Sequence, residues 1–228
     1  MLIKYYYNDN LKNIGKLCLS DCEIHIWIIN WKLLIKWSLS LQHILTEKEQ
    51  RYILKFRNYC DRMRSLTGKV ISKMLLSQYI GIKYSEIDIK IGTFGKPSLF
   101  IGANKDNIHY NISHSGEFVV LTFTKLECIG IDIELIRNID NFEEVALSCY
   151  TKEECNEIIK NRDYKIFFKY WTAKEAYVKA LGLGLNKDFK SFSIRENKII
   201  EKGQILPRWK IFKLKVHDQY SAHIVVKL

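Results

Sequence analysis

The sequence predicts an α/β protein made of two similar halves, and two kinds of repeated segment support this prediction. Ile24–Ile29 alternates in the manner of a strand, and Ile129–Glu134 alternates in the same way. Thr46–Glu49 and Thr151–Glu154 each carry a threonine followed three residues later by a glutamate, the capping-box pattern that begins a helix. Each second copy starts 105 residues after the first. We therefore expect a pseudo-twofold duplication of one α/β unit.

The later elements of the two halves follow the same order. Helical segments come after both capping boxes. The strand-like segments Ile87–Lys90 and Val119–Leu121 match Phe192–Arg195 and Ile224–Val226 at the same spacing. We expect each half to run from a strand through helices to antiparallel strands, with a ligand cleft between the halves. The predicted divisions are an N-terminal extension at residues 1–21, a first half at 22–126 and a second half at 127–228.

The composition bounds the class of protein. With 228 residues and 47% hydrophobic residues the chain can build a core, and it has no uninterrupted apolar run of membrane-spanning length. Met1–Asn10 lacks the apolar core of a signal peptide, so we expect a cytoplasmic protein that binds no membrane. The six cysteines have no zinc-binding spacing and are expected to be reduced thiols, mostly in the core.

The net charge of +11 admits two interpretations. It can reflect a lysine-rich composition alone, or it can serve a polyanionic partner. The lysines are spread out rather than clustered, which weakens the case for a nucleic-acid-binding module.

The two halves differ where chemistry is expected. The second half carries three carboxylates where the first half is apolar: Asp132 and Glu134 replace Trp27 and Ile29, and Glu175 replaces Val70. Asp132 and Glu134 are two residues apart on a predicted strand and face the same side. An exposed polar strand face explains this pair without any function. The alternative is a site for Mg²⁺, which binds carboxylates together with water and substrate phosphates.

The predicted helix from Lys169 to Leu181 offers the next candidates. Glu175 and Lys179 are four residues apart and share one helix face. They form either an ordinary exposed ion pair or a metal ligand beside a lysine that neutralises phosphate. Two short segments, the polar loop Asn111–Gly116 and the turn Gly95–Pro97, suit contacts with an anion but are ordinary turns when taken alone.

At these residues the sequence resembles a known family, the Sfp-type phosphopantetheinyl transferases. Gly130–Glu134 is similar to the family signature G-[IV]-D-x-E. Trp171–Leu185 is similar to the signature W-[ST]-x-K-E-[AS]-x-x-K-x-x-G-x-G-L, with every fixed position present. The segments Gly95–Pro97 and Asn111–Ser115 stand upstream in the family's order. The resemblance covers about residues 22–228.

The resemblance implies an enzyme that moves the phosphopantetheine arm of coenzyme A onto a serine of an acidic acyl or peptidyl carrier protein and releases adenosine 3′,5′-bisphosphate. It implies a monomer that uses Mg²⁺, with Mn²⁺ able to substitute. The implied metal ligands are Asp132, Glu134 and Glu175, and the implied catalytic residues are Glu175 and Lys179. The implied coenzyme A contacts are Arg64, Gly95, Lys96, Pro97, Ser113, His114, Lys174 and Lys179.

The chain departs from the family pattern just after the first capping box. Basic residues are frequent there in the family, whereas this chain has Glu49 and Tyr52, so Lys48 or Arg51 would have to substitute.

Within the implied reaction, the general base is Glu175, acting directly or through a water, or a water held by Asp132 or Glu134. Two further functions remain open from the residues alone. A nucleic-acid-binding module would use the lysines but leave the three carboxylates unexplained, and another metal-dependent phosphoryl-transfer enzyme, such as a nuclease, would also use clustered carboxylates.

Overall fold

The computed structural model describes residues 1–12, 14–92, 97–100, 107–184 and 187–228. By their internal contacts these residues form two compact units. The first comprises Met1–Lys90 with Pro97–Lys125, and the second consists mainly of Leu126–Leu228.

The first unit contains a four-stranded mixed sheet with the strand order β1-β2-β6-β5. Strand β1 runs parallel to β2, whereas β6 runs antiparallel to both β2 and β5. The long helix α3 buries Val70, Ile71 and Leu75 in a core that also holds Trp27 and Ile29 of β2. The elements are β1 Leu2–Tyr7, β2 Glu23–Asn30, α1 Trp31–Ser40, α2 Glu47–Leu54, α3 Tyr59–Ile80, β3 Asp88–Ile91, β4 Pro97–Phe100, β5 His109–Ser115 and β6 Phe118–Thr124.

The second unit contains a three-stranded antiparallel sheet with the order β11-β12-β7 and a smaller sheet formed by β8, β9 and β10. Helix α6 lies against β7 and β12 and buries aromatic residues such as Phe167 and Tyr177 in the second core. The elements are β7 Cys128–Leu135, α4 Phe142–Cys149, α5 Lys152–Asn161, α6 Tyr164–Leu181, β8 Phe192–Arg195, β9 Lys198–Glu201, β10 Gln204–Ile205, β11 Trp209–Lys213 and β12 Tyr220–Lys227.

The prediction of two similar α/β halves is confirmed. The order β2-β6-β5 in the first unit is repeated as β7-β12-β11 in the second. Strands β2 and β7 begin 105 residues apart, and so do helices α3 and α6. Both predicted capping boxes form, with Thr46 and Thr151 as the N-caps of α2 and α5.

Three expectations about local structure are corrected or answered. The segment Asn111–Ser115 is not a loop but part of β5, because its backbone pairs with β6 along its whole length. Residues Leu2–Tyr7, whose structure the sequence left open, pair with β2 as an edge strand. The cysteines are free thiols, but of the six only Cys155 is buried, so most of them do not fill the core.

In the described part of the chain, no helix combines the length and the apolar character needed to cross a membrane.

Candidate active site

Strand β7 carries two of the candidate carboxylates on one face. Ile131 and Ile133, which alternate with them, are fully buried on the opposite face. Asp132 is also buried, with a relative exposure of 3%, so this face is covered rather than open to solvent. An exposed polar strand face therefore does not describe Asp132.

Helix α6 covers that face, and Gly130 permits its close approach. A Cβ atom built on Gly130 would lie 2.1 Å from the carbonyl oxygen of Ala176 and 2.4 Å from the amide nitrogen of Ala180. Both neighbours are helix backbone and cannot rotate away, so any residue other than glycine would push α6 off the strand. The glycine of the Gly130–Glu134 segment thus sets the spacing between the strand and the helix.

This packing brings Lys179 and Asp132 together. The Lys179 ammonium lies 2.6 Å from Oδ1 of Asp132, and the two side chains are 29% and 5% exposed. Glu175 lies one turn before Lys179 on α6. Burial, together with the charges of Asp132 and Glu134, raises the pKa of Glu175 to about 6 against the opposing effect of Lys179. The three carboxylates and the lysine therefore form one electrostatic group.

The carboxylate oxygens of this group are suitable ligands for a hard cation, but they are not arranged around one metal position. Among the described residues, no three His, Cys, Asp or Glu side chains are placed to hold a metal ion together. Instead, one oxygen of Asp132 is bound to Lys179. Oxygen donors and excess negative charge both suit Mg²⁺, which binds to one or two carboxylates and completes its shell with water and phosphate.

Lys174 is placed differently from the prediction, which put it near the phosphates of coenzyme A. Its ammonium is fully buried, lies 2.9 Å from Glu154 and donates to the carbonyl oxygens of Phe189 and Phe192 at 2.7 and 2.6 Å. Burial lowers its pKa, and Glu154 opposes that effect. All three donor hydrogens are directed at protein acceptors, so the structure assigns Lys174 a structural position between α6, α5 and β8.

Four of the predicted coenzyme A contacts belong to the first unit: Arg64, Pro97, Ser113 and His114. Arg64 donates from Nη1 to the carbonyl of Gly116 at 2.6 Å and pairs with Asp61, so it holds the turn between β5 and β6. Ser113 and His114 are consecutive on β5 and face opposite sides of the sheet. Ser113 is buried and His114 is exposed. Pro97 begins β4, whereas Gly95 and Lys96 lie outside the described residues.

The structure explains how the first half accommodates Glu49 and Tyr52. Glu49 completes the capping box of α2 and lies 2.9 Å from the buried ammonium of Lys73. The second unit makes the same ion pair between Glu154 and Lys174. The first-half counterpart of Lys174 is Lys69, which instead places its ammonium 4.9 Å from the centre of the Tyr52 ring. Lys48 and Arg51 are exposed on α2.

Three buried polar residues beside the carboxylates were not predicted from the sequence as functional residues: Thr172, Ser221 and His223. His223 and Ser221 of β12 stand opposite Asp132 and Glu134 in the β7–β12 register, and both bond to Thr172 of α6. The alternation of polar and apolar residues in Ser221–Val225 is the only signal in the sequence that could have suggested them.

Both halves of the sequence match models of one family. The model described as the 4′-phosphopantetheinyl transferase superfamily matches residues 128–225. The model described as 4′-phosphopantetheinyl transferase, N-terminal, matches residues 30–125.

Curated relatives carry the same description. The chain is 28% identical to the 4′-phosphopantetheinyl transferase HetI of Nostoc sp. over 91% of this chain and 89% of that protein. It is 30% identical to 4′-phosphopantetheinyl transferase Sfp of Bacillus subtilis, over 68% of this chain and 67% of that protein. It is 33% identical to 4′-phosphopantetheinyl transferase gsp of Aneurinibacillus migulanus, over 68% and 63% of the two chains.

Proposed function

This chain belongs to the 4′-phosphopantetheinyl transferase family and transfers the 4′-phosphopantetheinyl group of coenzyme A to carrier proteins; we propose that Asp132, Glu134, Glu175 and Lys179 form its catalytic centre. The observation that carries this proposal is the packing of α6 on β7 at Gly130, which gathers the three carboxylates and the lysine into one electrostatic group. The first half, where the equivalent strand positions are Trp27 and Ile29, has no such group at those positions.

Asp132, Glu134 and Glu175 are the residues that would hold Mg²⁺, or Mn²⁺ in its place. Burial and then repulsion by Asp132 and Glu134 raise the pKa of Glu175, and a bound cation would relieve the repulsion. When bound, the cation would neutralise charge on the pyrophosphate of coenzyme A. Because Lys179 is bonded to Oδ1 of Asp132, a cation would either bind the second carboxylate oxygen or displace Lys179 from the first.

Glu175 is the proposed general base. In the metal-free protein its pKa is about 6, so at neutral pH the group is mostly ionised and is a stronger base than an ordinary carboxylate. The serine hydroxyl of the carrier protein would give its proton to Glu175, directly or through a water, as its oxygen bonds to the β-phosphorus. The bond between that phosphorus and the bridging oxygen breaks, and adenosine 3′,5′-bisphosphate leaves with the electron pair.

Lys179 would neutralise phosphate charge as it develops. Its side chain is 29% exposed, whereas the neighbouring Lys174 is fully enclosed, so only Lys179 of the two can turn toward a ligand. A lysine that leaves Asp132 for a phosphate oxygen exchanges one negative partner for another and loses little electrostatic energy.

The first unit carries most of the positive charge of the chain. Residues 1–125 contain 18 Lys and Arg against 10 Asp and Glu, which is +8 of the total charge of +11. A phosphate-rich substrate and an acidic carrier protein would both be attracted to such a surface. Of the candidates there, the exposed His114 suits a side-chain contact with phosphate better than the buried Ser113, and Arg64 would act beside the turn that it holds.

A transfer assay tests the proposal. The protein is incubated with coenzyme A and a panel of apo-carrier proteins, with Mg²⁺ or with a chelator, and the mass of each carrier is measured. We expect a gain of one phosphopantetheine group that requires the metal and is lost in Glu175→Gln and Asp132→Asn. If these two variants transfer the group as fast as the wild type, the proposed assignment of the catalytic centre is wrong. Cleavage of nucleic acid with no gain on any carrier would favour the nuclease alternative.

A further inference from the structure

Three buried polar side chains, Thr172, Ser221 and His223, form a cluster between α6 and β12. Their relative exposures are 0%, 4% and 2%. The Thr172 oxygen lies 2.9 Å from the Ser221 hydroxyl, 2.7 Å from Nδ1 of His223 and 2.7 Å from the carbonyl oxygen of Phe168. Most polar groups buried this deeply are hydrogen-bonded, and these groups are bonded to one another.

The directions of these hydrogen bonds follow from the number of protons. A carbonyl oxygen only accepts, so the single Thr172 hydroxyl proton is donated to Phe168. The two remaining lone pairs of Thr172 then accept from Ser221 and from the imidazole. His223 must therefore carry its proton on Nδ1 in this arrangement. The cluster ties one turn of α6 to two alternate positions of β12.

Those positions are directly opposite the catalytic carboxylates. In the register of β7 and β12, His223 pairs with Asp132 and Ser221 pairs with Glu134. On the helix, Thr172 is three residues before Glu175 and seven before Lys179, so the three share one face. The cluster thus connects the same helix face and the same pair of strands that the reaction uses.

The contact between α6 and β7 at Gly130 sets a spacing rather than an orientation. Gly130 meets the backbone of Ala176 and Ala180, and such small-residue packing sets a distance but has little preference for one rotation or translation of the helix. Hydrogen bonds are directional and weaken steeply when misaligned. A polar cluster at this place would determine where Glu175 comes to rest relative to Asp132.

The first unit provides an internal comparison. Thr67 is the counterpart of Thr172 and is also fully buried, but its hydroxyl has no hydrogen-bond partner among the described residues. The residues opposite Trp27 and Ile29 in the β2–β6 register are Leu121 and Val119. The half without carboxylates therefore keeps the threonine and lacks the histidine and serine.

We infer that Thr172, Ser221 and His223 form a positioning cluster, which orients α6 so that Glu175 and Lys179 meet Asp132. The residues touch neither substrate nor the reacting atoms, and they act through the helix. The inference rests on the proposed roles of Glu175 and Lys179.

The test compares variants that remove the hydrogen bonds of the cluster with conservative variants that keep them. Thr172→Val and His223→Leu remove the hydrogen bonds, whereas Thr172→Ser and His223→Asn keep an oxygen or an N–H at the same place. We expect kcat for transfer to fall by about 10- to 100-fold in the first pair, with KM for coenzyme A changed by less than about threefold, because misplacing a catalytic group by a fraction of an ångström has effects of this size. The second pair should recover most of the loss.

Thr67→Val is the matched control, since it removes the equivalent buried hydroxyl where that hydroxyl has no partner. Its kcat should stay within about twofold of the wild type. Circular dichroism and thermal melting identify variants that fail to fold. If one of them does not fold, Ser221→Ala is measured in its place. If folded Thr172→Val and His223→Leu lose no more kcat than Thr67→Val, or if the conservative variants fail to rescue, the positioning role is wrong. Absence of transfer by the wild-type protein would instead overturn the proposed function.

Discussion

Gly130 lies directly against the backbone of Ala176, at a distance that leaves no room for a Cβ atom. Strand β7 and helix α6 therefore approach as closely as backbones allow, and the chemistry of the second unit depends on that contact.

Gly130→Ala should destabilise the protein by about 3 kcal/mol or more, because the added methyl meets backbone atoms that can yield only if the whole helix moves. Transfer activity should be lost in whatever folded protein remains. Chemical denaturation measures the first effect. Gly15→Ala is the control, since a Cβ at Gly15 meets nothing within 4 Å, and it should be neutral. Equal stability of the two variants would contradict the close packing.

Lys179→Met should tighten the binding of Mn²⁺ by about 3- to 10-fold while it lowers turnover. The Lys179 ammonium occupies Oδ1 of Asp132 and repels a cation placed beside it, and a half-buried ion pair of this kind is worth about 1 kcal/mol. Titration followed by electron paramagnetic resonance measures the affinity. Lys179→Arg keeps the charge and should bind Mn²⁺ like the wild type. Weaker binding in Lys179→Met would show that Asp132 and Lys179 do not compete in this way.

Glu175→Gln should make the metal-free protein more stable at pH 8 and leave it unchanged at pH 4. Burial, together with Asp132, raises the pKa of Glu175 from 4.5 to about 6. The folded state therefore favours the protonated form, so the associated stability is present below pH 4.5 and is lost as the pH rises through 6. A neutral amide avoids that loss, which amounts to about 1–2 kcal/mol. Urea unfolding in chelator at the two pH values gives the comparison, and a stabilisation that is equal at both would exclude this cause.

Lys174→Met should cost about 3–5 kcal/mol of stability, because it leaves Glu154 buried without its cation. Lys73→Met should act similarly in the first unit through Glu49. In the fraction that folds at low temperature, KM for coenzyme A should change by less than about twofold. If Lys174→Met is stable and has a much higher KM for coenzyme A, the predicted contact between Lys174 and the phosphates is correct.

Much of the fold could be predicted because its signals are local. Thr46 and Thr151 mark helix starts through contacts within four residues, and the offset of 105 residues relates the elements of the two halves. The carboxylates could be found by the same offset, since Asp132 and Glu134 replace apolar residues.

What could not be predicted depends on tertiary contacts. Asn111–Ser115 has the polar composition of a loop, and only pairing with β6 makes it a strand. Lys174 resembles a ligand-binding lysine in sequence, yet three acceptors from distant segments enclose it. His223 carries no motif, and its importance follows from the register that puts it opposite Asp132.

The edge strand β1 has a practical consequence for handling the protein. The N-terminal family match begins at residue 30, so a chain trimmed to the matched region would lack β1 and all of β2 except Asn30. A shorter cut that removes only β1 would strip Tyr6 from the face of Trp27, where the rings stack at 4.5 Å, and Lys4 from Glu23, 2.6 Å away. The backbone of β2 would then become an open sheet edge, the surface on which aggregation begins. Residues 2–7 therefore cover the edge of β2, and a shortened chain should keep them.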